Sequence, residues 1–317
     1  MIAAVLSKPR TFTLQQSPIP DVKDDEIKIK VEGCGICASS IPVWEGREWF
    51  QYPLEPGSPG HEGWGFVEAT GDKINSIQVG DRVAFLSYHA YAEYDVAKEG
   101  SYVKLPQQLA NIPFPGEPLG CAINIFNRSD ISAGDTVAIV GIGFLGALLC
   151  QLAKQSGAKV IAISRREYSL DFAKKYGADE VIPLTSTWEV ANKVGEITGN
   201  AFCSCVIEAT GKQEGIDVAT EVVGEYGKII IAGYHQDGLR NVNMQKWNWK
   251  AIDVINAHER DPAKYLTGMQ RAVDAVVQGI MDPHLLYTDI LPLDAISNGF
   301  ELTKKRPDGF MKALVQL

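Results

Sequence analysis

The sequence predicts an α/β protein in which a doubly wound parallel sheet is joined to an irregular β-barrel domain. Three observations predict it. Thr136–Arg166 reads as strand, tight glycine turn, helix and strand. Upstream, short β-type runs are separated by Pro, Gly and Asp clusters, whereas from Glu117 helix and strand alternate. From Tyr287 the tail returns to β texture, so the first domain is expected to be discontinuous. A chain of 317 residues suits two domains better than one core.

In chain order, the expected strands of the first domain are Ile2–Leu6, Glu26–Val31, Gly65–Ala69, Arg82–Phe85 and Tyr91–Val96, each a short run rich in β-branched, aromatic or alternating apolar residues. The sheet of the second domain is expected from Val137–Val140, Val160–Ile163, Glu180–Ile182, Cys205–Glu208, Lys228–Ala232 and Lys250–Asn256. Helices are expected at Phe144–Ser156, Tyr168–Tyr176, Trp188–Thr198, Gly215–Val223 and Ala263–Gln278. Tyr287–Leu291 and Lys312–Gln316 then flank a helix at Leu293–Thr303. The resulting domains are 1–121 with 257–317, and 122–256.

Composition narrows the class of partner. A net charge of −9 argues against nucleic acid or an anionic membrane, both of which need a basic face, and favours a small-molecule substrate. No run approaches the ~20 apolar residues of a membrane span, and the N-terminus lacks a signal-peptide core, so a cytoplasmic protein is expected. The six cysteines do not form a secreted disulfide framework in a chain this long, and Cys150, on the apolar face of a helix, reads as core.

Gly141, Gly143 and Gly146 follow the strand at G-x-G-x-x-G spacing, with Phe144 and Leu145 opening the helix between them. The first glycine permits the turn, the second lets backbone approach a pyrophosphate, and the third lets helix pack on strand. The helix N-terminus supplies N–H groups to the phosphates, so a dinucleotide site is expected. A carboxylate at the end of the next strand would bind the adenosine ribose of NAD(H). Ser164-Arg165-Arg166 stands there instead, and a hydroxyl with two guanidiniums suits the 2′-phosphate of NADP(H).

Two further constellations carry chemistry: Gly33-Cys34-Gly35-Ile36-Cys37-Ala38-Ser39 and Gly57-Ser58-Pro59-Gly60-His61-Glu62-Gly63. A thiolate, an imidazole and a carboxylate from loops of one barrel suit a catalytic zinc with one open position. No four cysteines have the spacing of a structural zinc site.

With Val79-Gly80-Asp81-Arg82-Val83, Ala92-Glu93-Tyr94, Glu117-Pro118-Leu119, Ile290-Leu291-Pro292-Leu293 and Asn298-Gly299-Phe300, these motifs resemble the zinc-dependent medium-chain dehydrogenase/reductase superfamily over essentially the whole chain, nearest its sorbitol and threonine dehydrogenase branch. The resemblance implies a chaperonin-10-like (GroES-like) barrel bearing zinc, a Rossmann domain bearing nicotinamide, and an active site in the cleft between them. It implies Cys37 and His61 as zinc ligands, Glu62 as an exchangeable fourth, and Glu117 as the third, with Cys121 as its rival. Ser39 matches the hydroxyl that relays the substrate proton, and Asn124 and Thr210 match positions near the nicotinamide. One zinc per chain and a homodimer paired near Trp249–Asn256 are also implied.

Departures are equally informative. Ser40 stands where the family has an Asp that orients the zinc-bound histidine, and Pro42 where a histidine often continues the relay. The structural-zinc lobe is missing, and Tyr88 and His89 replace it. Ser39, Trp44, Trp49, Ser87 and Tyr88 are the expected substrate pocket, suited to a sugar, cyclitol or other polyol; Trp44 and Trp49 can equally be packing residues. His258-Glu259-Arg260 can face the same pocket. The leading expectation is a single-zinc NADP(H)-dependent polyol dehydrogenase; a zinc-free quinone or enone reductase and a non-catalytic nicotinamide-binding protein are the alternatives.

Overall fold

The computed structural model describes residues Met1–Leu317 as two compact units. The first comprises Met1–Gly120, Asp261–Val277 and Pro283–Leu317, and the second Cys121–Arg260 and Gln278–Asp282. In chain order the strands are β1 (Ile2–Lys8), β2 (Thr11–Gln16), β3 (Glu26–Gly35), β4 (Gly63–Thr70), β5 (Arg82–Phe85), β6 (Tyr94–Lys98) and β7 (Tyr102–Lys104). Then come β8 (Thr136–Val140), β9 (Lys159–Ser164), β10 (Glu180–Pro183), β11 (Cys203–Glu208), β12 (Val223–Ile231) and β13 (Asp253–Asn256). The last two are β14 (Tyr287–Pro292) and β15 (Lys312–Gln316).

The first unit is a seven-stranded sheet in the order β14-β15-β3-β4-β5-β7, with β6 on β3, beside the β1–β2 hairpin. The chain's end is built into it: β15 pairs antiparallel with β3, Leu314 opposite Gly35. That register carries Lys312 beside the Gly33–Cys37 segment, which positions the site. The core gathers Ile27, Ile29, Val31, Phe85, Tyr91, Phe300 and Val315, all buried.

The second unit is a six-stranded sheet in the order β10-β9-β8-β11-β12-β13, and every pairing is parallel. Its central strands β8 and β9 are near-continuous apolar runs because a parallel sheet is covered on both faces; Val137–Val140 and Val160–Ile163 are fully buried. The strand order reverses at β8, which opens a crevice at the carboxyl ends of the strands.

Several boundaries differ from the sequence expectation. Residues 257–260 belong with the second unit, where the Ala257 N–H donates to the Ile231 carbonyl and the His258 ring stacks on Tyr234. Gln278–Asp282 joins them; the Asp282 N–H donates to Gln151 Oε1. The expected strand from Lys250 begins only at Asp253. Met244–Lys250 is a helix, capped at its start by the Asn243 side chain on the Lys246 N–H and ended by Ala251 at φ 51°.

Candidate metal centre and dinucleotide crevice

The groups of the first unit that could hold a metal ion come from two strand ends. Cys37 follows β3 and His61-Glu62 precedes β4, and β3 and β4 pair antiparallel down to Cys34 opposite Gly63. Donor atoms of Cys37, His61 and Glu62 lie within 4.8 Å of one another. One ion with bonds of about 2.0–2.3 Å can bridge that separation after small side-chain shifts, and a thiolate, imidazole and carboxylate are a donor set suited to zinc. The residues therefore fit the group.

His61 is oriented by backbone in place of the missing carboxylate at Ser40. Its Nδ1 lies 3.0 Å from the Pro59 carbonyl oxygen, which can only accept, so in the neutral ring the lone pair sits on Nε2. Ser40 itself is buried and takes no part in this contact. Burial opposes the charged ring, but the Cys37 thiol and the Glu117 and Glu62 carboxylates outweigh it and lift His61 to about 10. Ser39 Oγ donates to Cys37 Sγ at 3.1 Å, which places the expected relay hydroxyl beside the donor cluster.

Glu62 is fully buried, and Lys312 Nζ stands 2.5 Å from its Oε2. Lys312 is 5% exposed. Burial works against its charge, yet the carboxylate of Glu62 and the thiol of Cys37 raise its pKa, so it is an ammonium here. The carboxylate reaches this place only because residue 35 has no side chain: a Cβ on Gly35 would lie 1.8 Å from Glu62 Oε2. Sequence reading missed Lys312. Its signal is a single charge in the otherwise apolar run Phe310–Val315.

Glu117 lies outside the three-residue cluster but acts on it electrostatically and accepts a hydrogen bond from Tyr265 Oη at 3.2 Å. Cys121 belongs to the second unit. Cys34 is fully buried, and burial pushes its thiol well up, so it is core and not a ligand; none of the cysteines forms a disulfide.

The expected pocket residues divide. Trp44 is a correction: it is fully buried, packed on Phe300 at 5.8 Å with Arg10 over its ring at 5.1 Å, because the short helix Ile41–Glu45 turns its apolar face inward. Trp49 is 67% exposed and lies against Phe50 and Arg47. Tyr88 stacks on His61 with ring centroids 6.0 Å apart, which puts it beside the candidate metal-binding cluster. Ser87 donates to the buried Asp95 carboxylate at 2.5 Å, and His89 Nδ1 meets Ser58 Oγ at 3.0 Å. The second of these bonds fastens the segment from Ser87 to His89 to the His61 turn, and the first ties it to β6.

In the second unit, Gly141 turns at φ 100° directly after β8, and Phe144–Gln155 starts from Gly143. A Cβ on Gly141 would lie 2.6 Å from Thr210 Cγ2, while one on Gly143 would meet nothing within 4 Å. The first glycine is thus required by the neighbouring loop, and the second leaves open the approach a pyrophosphate uses. Leu145 and Gly146 continue the helix. Ser164 is buried at the end of β9; Arg165 is largely exposed, 3.8 Å from Glu214, and Arg166 stands at the N-cap position of the next helix with no side-chain capping bond. Asn124 is buried in the helix Gly116–Ser129. Thr210 is bonded through N and Oγ1 to the buried carboxylate of Glu208, a residue missed in the sequence.

Comparison with known proteins agrees with this architecture. Residues 23–107 match the alcohol dehydrogenase GroES-like domain, and residues 145–282 match the zinc-binding dehydrogenase domain. Sorbitol dehydrogenase of Bacillus subtilis is 26% identical over 347 aligned positions, covering 99% of this chain and 97% of that protein. A zinc-binding dehydrogenase of Sinorhizobium meliloti, solved bound to NADP, superposes with a TM-score of 0.86 at 23% identity over 100% of this chain and 99% of its own. An alcohol dehydrogenase of Escherichia coli CFT073, solved with NADH, gives 0.88 at 21% identity, with 100% and 99% covered. With a GroES-like domain, a parallel-sheet nucleotide-binding domain and the motifs of both in order, the chain belongs to the medium-chain dehydrogenase/reductase family.

Proposed function

We propose that the protein is a zinc-dependent oxidoreductase that transfers hydride between NADP(H) and a secondary alcohol or ketone, its substrate a polyol, sugar or cyclitol. The observation that carries this reading is the convergence of Cys37, His61 and Glu62 donors within 4.8 Å. When bound, zinc supplies Lewis acidity at the substrate oxygen and the nicotinamide supplies hydride transfer. Cys37 Sγ and His61 Nε2 hold the metal, and Glu117 completes the set. Glu62, tethered by Lys312, is the exchangeable carboxylate. Ser39 Oγ takes up and passes on the hydroxyl proton. A polyol substrate accords with the sorbitol dehydrogenase relative.

Solved neighbours include one with NADP and one with NADH, so the cofactor choice rests on this chain's own residues. Arg165 and Arg166 follow β9 with no carboxylate at its end, which favours the 2′-phosphate. Two cations lost together weaken NADPH binding by about 100-fold or more and leave NADH unchanged, as each charge-assisted phosphate contact is worth roughly 1.5–3 kcal/mol. Fluorescence titration of the Arg165→Ala/Arg166→Ala protein checks this.

The experiment for the main reading is metal content of wild type and Glu117→Ala, followed by a polyol panel with NADPH. About one zinc per chain with turnover of a polyol supports it, and metal loss in the variant identifies Glu117 as the third ligand. A metal-free wild type from zinc-replete cells overturns it. That outcome favours the quinone or enone reductase reading, whose one supporting observation is that Lys312 already neutralises Glu62.

A homodimer is also proposed. The edge strand β13 pairs only with β12, and Trp249, a few residues before it in the chain, is 85% exposed. Light scattering of the purified protein tests it: a monomer mass at micromolar concentration would refute the pairing.

A further inference from the structure

We propose that His235 is a positioning residue for the nicotinamide half of the cofactor site, acting through a closed ring of hydrogen bonds that joins the loops after β11 and β12. The inference rests on the dinucleotide reading of the second unit.

Strand order places these loops. The glycine turn follows β8 and Ser164–Arg166 follows β9, on one side of the point where the order reverses. A dinucleotide spans that crevice, so its adenosine half lies over β8–β9 and its other half over the loops after β11 and β12. Those loops run through Ala209–Lys212 and Ala232–Arg240.

Glu208 ends β11 with no solvent exposure. Its Oε1 accepts from the Thr210 N–H at 2.7 Å, the Gly211 N–H at 3.0 Å and the Thr210 hydroxyl. Its Oε2 lies 2.8 Å from His235 Nε2. Arg240 Nε donates to His235 Nδ1 at 2.9 Å, and Arg240 Nη2 donates to the Gly211 carbonyl at 2.8 Å. The ring of contacts therefore runs from Glu208 through His235 and Arg240 to Gly211 and back to Glu208.

A guanidinium only donates, so Nδ1 must present its lone pair and the proton sits on Nε2, where it is given to Glu208. His235 is thereby fixed as one tautomer joining a donor and an acceptor on different loops. The ring bears on the cofactor turn, since Thr210 Cγ2 occupies the space into which a Cβ on Gly141 would project. Removing the imidazole leaves Glu208 Oε2 and Arg240 Nε without these partners. It removes one of the links between Ala232–Arg240 and Thr210–Lys212, leaving Arg240 Nη2 on the Gly211 carbonyl and Lys212 Nζ on Asp237, and the imidazole itself has no contact with the turns after β8 and β9.

Binding of cofactor fragments tests this in the full chain. Ligand-observed NMR gives Kd for reduced nicotinamide mononucleotide and for 2′,5′-ADP, and fluorescence gives it for NADPH. His235→Ala is expected to weaken the mononucleotide and NADPH by about tenfold, roughly the loss of one buried hydrogen bond. It leaves 2′,5′-ADP within about twofold, inside the usual noise of distant sites. His235→Gln restores most of the loss, because its amide N–H can donate to Glu208 while its carbonyl accepts from Arg240. If His235→Ala does not fold, Arg240→Met, which removes the outer bonds, is expected to give the same split. Unchanged mononucleotide binding, equal weakening of both fragments, or a His235→Gln protein as defective as His235→Ala overturns the proposal while the dinucleotide reading stands. A wild type that binds neither fragment overturns both.

Discussion

Glu62 in the first unit and Glu208 in the second are both fully buried carboxylates, yet they are satisfied in opposite ways. Glu208 is met by backbone N–H groups, a hydroxyl and an imidazole, so its acceptor sites are filled by fixed donors. Glu62 is met by one ammonium, Lys312, and otherwise faces a thiol and a histidine. A carboxylate whose lone pairs are all taken can only hold structure in place. One that is met by a single cation keeps acceptor sites able to take a second, which is what an exchangeable metal ligand requires.

The largest expected effect that tests this contrast is on stability. Lys312→Met leaves Glu62 as an uncompensated buried charge, and the metal-stripped protein is expected to lose about 3–5 kcal/mol in urea unfolding. Glu62→Gln/Lys312→Met removes both charges and is expected to recover most of that loss. If the single and double variants are equally destabilised, the ion pair is not what matters and the comparison fails.

A smaller effect is expected at the other carboxylate. Glu208→Gln keeps an oxygen for the Thr210 and Gly211 donors but turns an N–H toward His235 Nε2. To accept it, the ring must change tautomer, and its Nδ1–H then opposes Arg240 Nε. One misplaced bond in a network costs about 1–3 kcal/mol. Zinc content should be unchanged, whereas any metal loss would mean that the two carboxylates are not functionally separate.

Much of this contrast was legible in the sequence on one side only. Cys37, His61 and Glu62 stand out because few chemistries need those types in glycine-rich turns, and the G-x-G-x-x-G turn marks the crevice by spacing. Lys312 did not stand out, because its role comes from β15 pairing with β3, a contact between the two ends of the chain that no local pattern encodes. Trp44 stayed open between pocket and packing for the complementary reason: an aromatic beside charged residues suits a sugar site, and only packing against Phe300 shows that it is core. The Glu208–His235–Arg240 ring joins loops after two different strands, and each residue alone is unremarkable. Met244–Lys250 has no buried residue, so the helix gives no amphipathic signal and is defined by its caps.

The smallest expected effect separates the outer from the inner part of that ring. Asp237 is held well below the usual carboxylate range, chiefly by Lys212 and then by Arg240. A carboxyl whose folded pKa is depressed stabilises the fold above its unfolded value of about 3.9, and that contribution disappears as pH falls from there through the folded value. Asp237 is 29% exposed at its side chain, so solvent screening limits the contribution to less than about 1 kcal/mol. Urea unfolding should therefore show wild type more stable than Asp237→Asn at pH 6, with the gap narrowing as the pH is lowered below 4. Because Asp237 touches Arg240 but not Glu208 or His235, binding of reduced nicotinamide mononucleotide at neutral pH should change far less in this variant than in His235→Ala. An equal loss in both would place the control of these loops in the exposed ion pairs and not in the buried carboxylate.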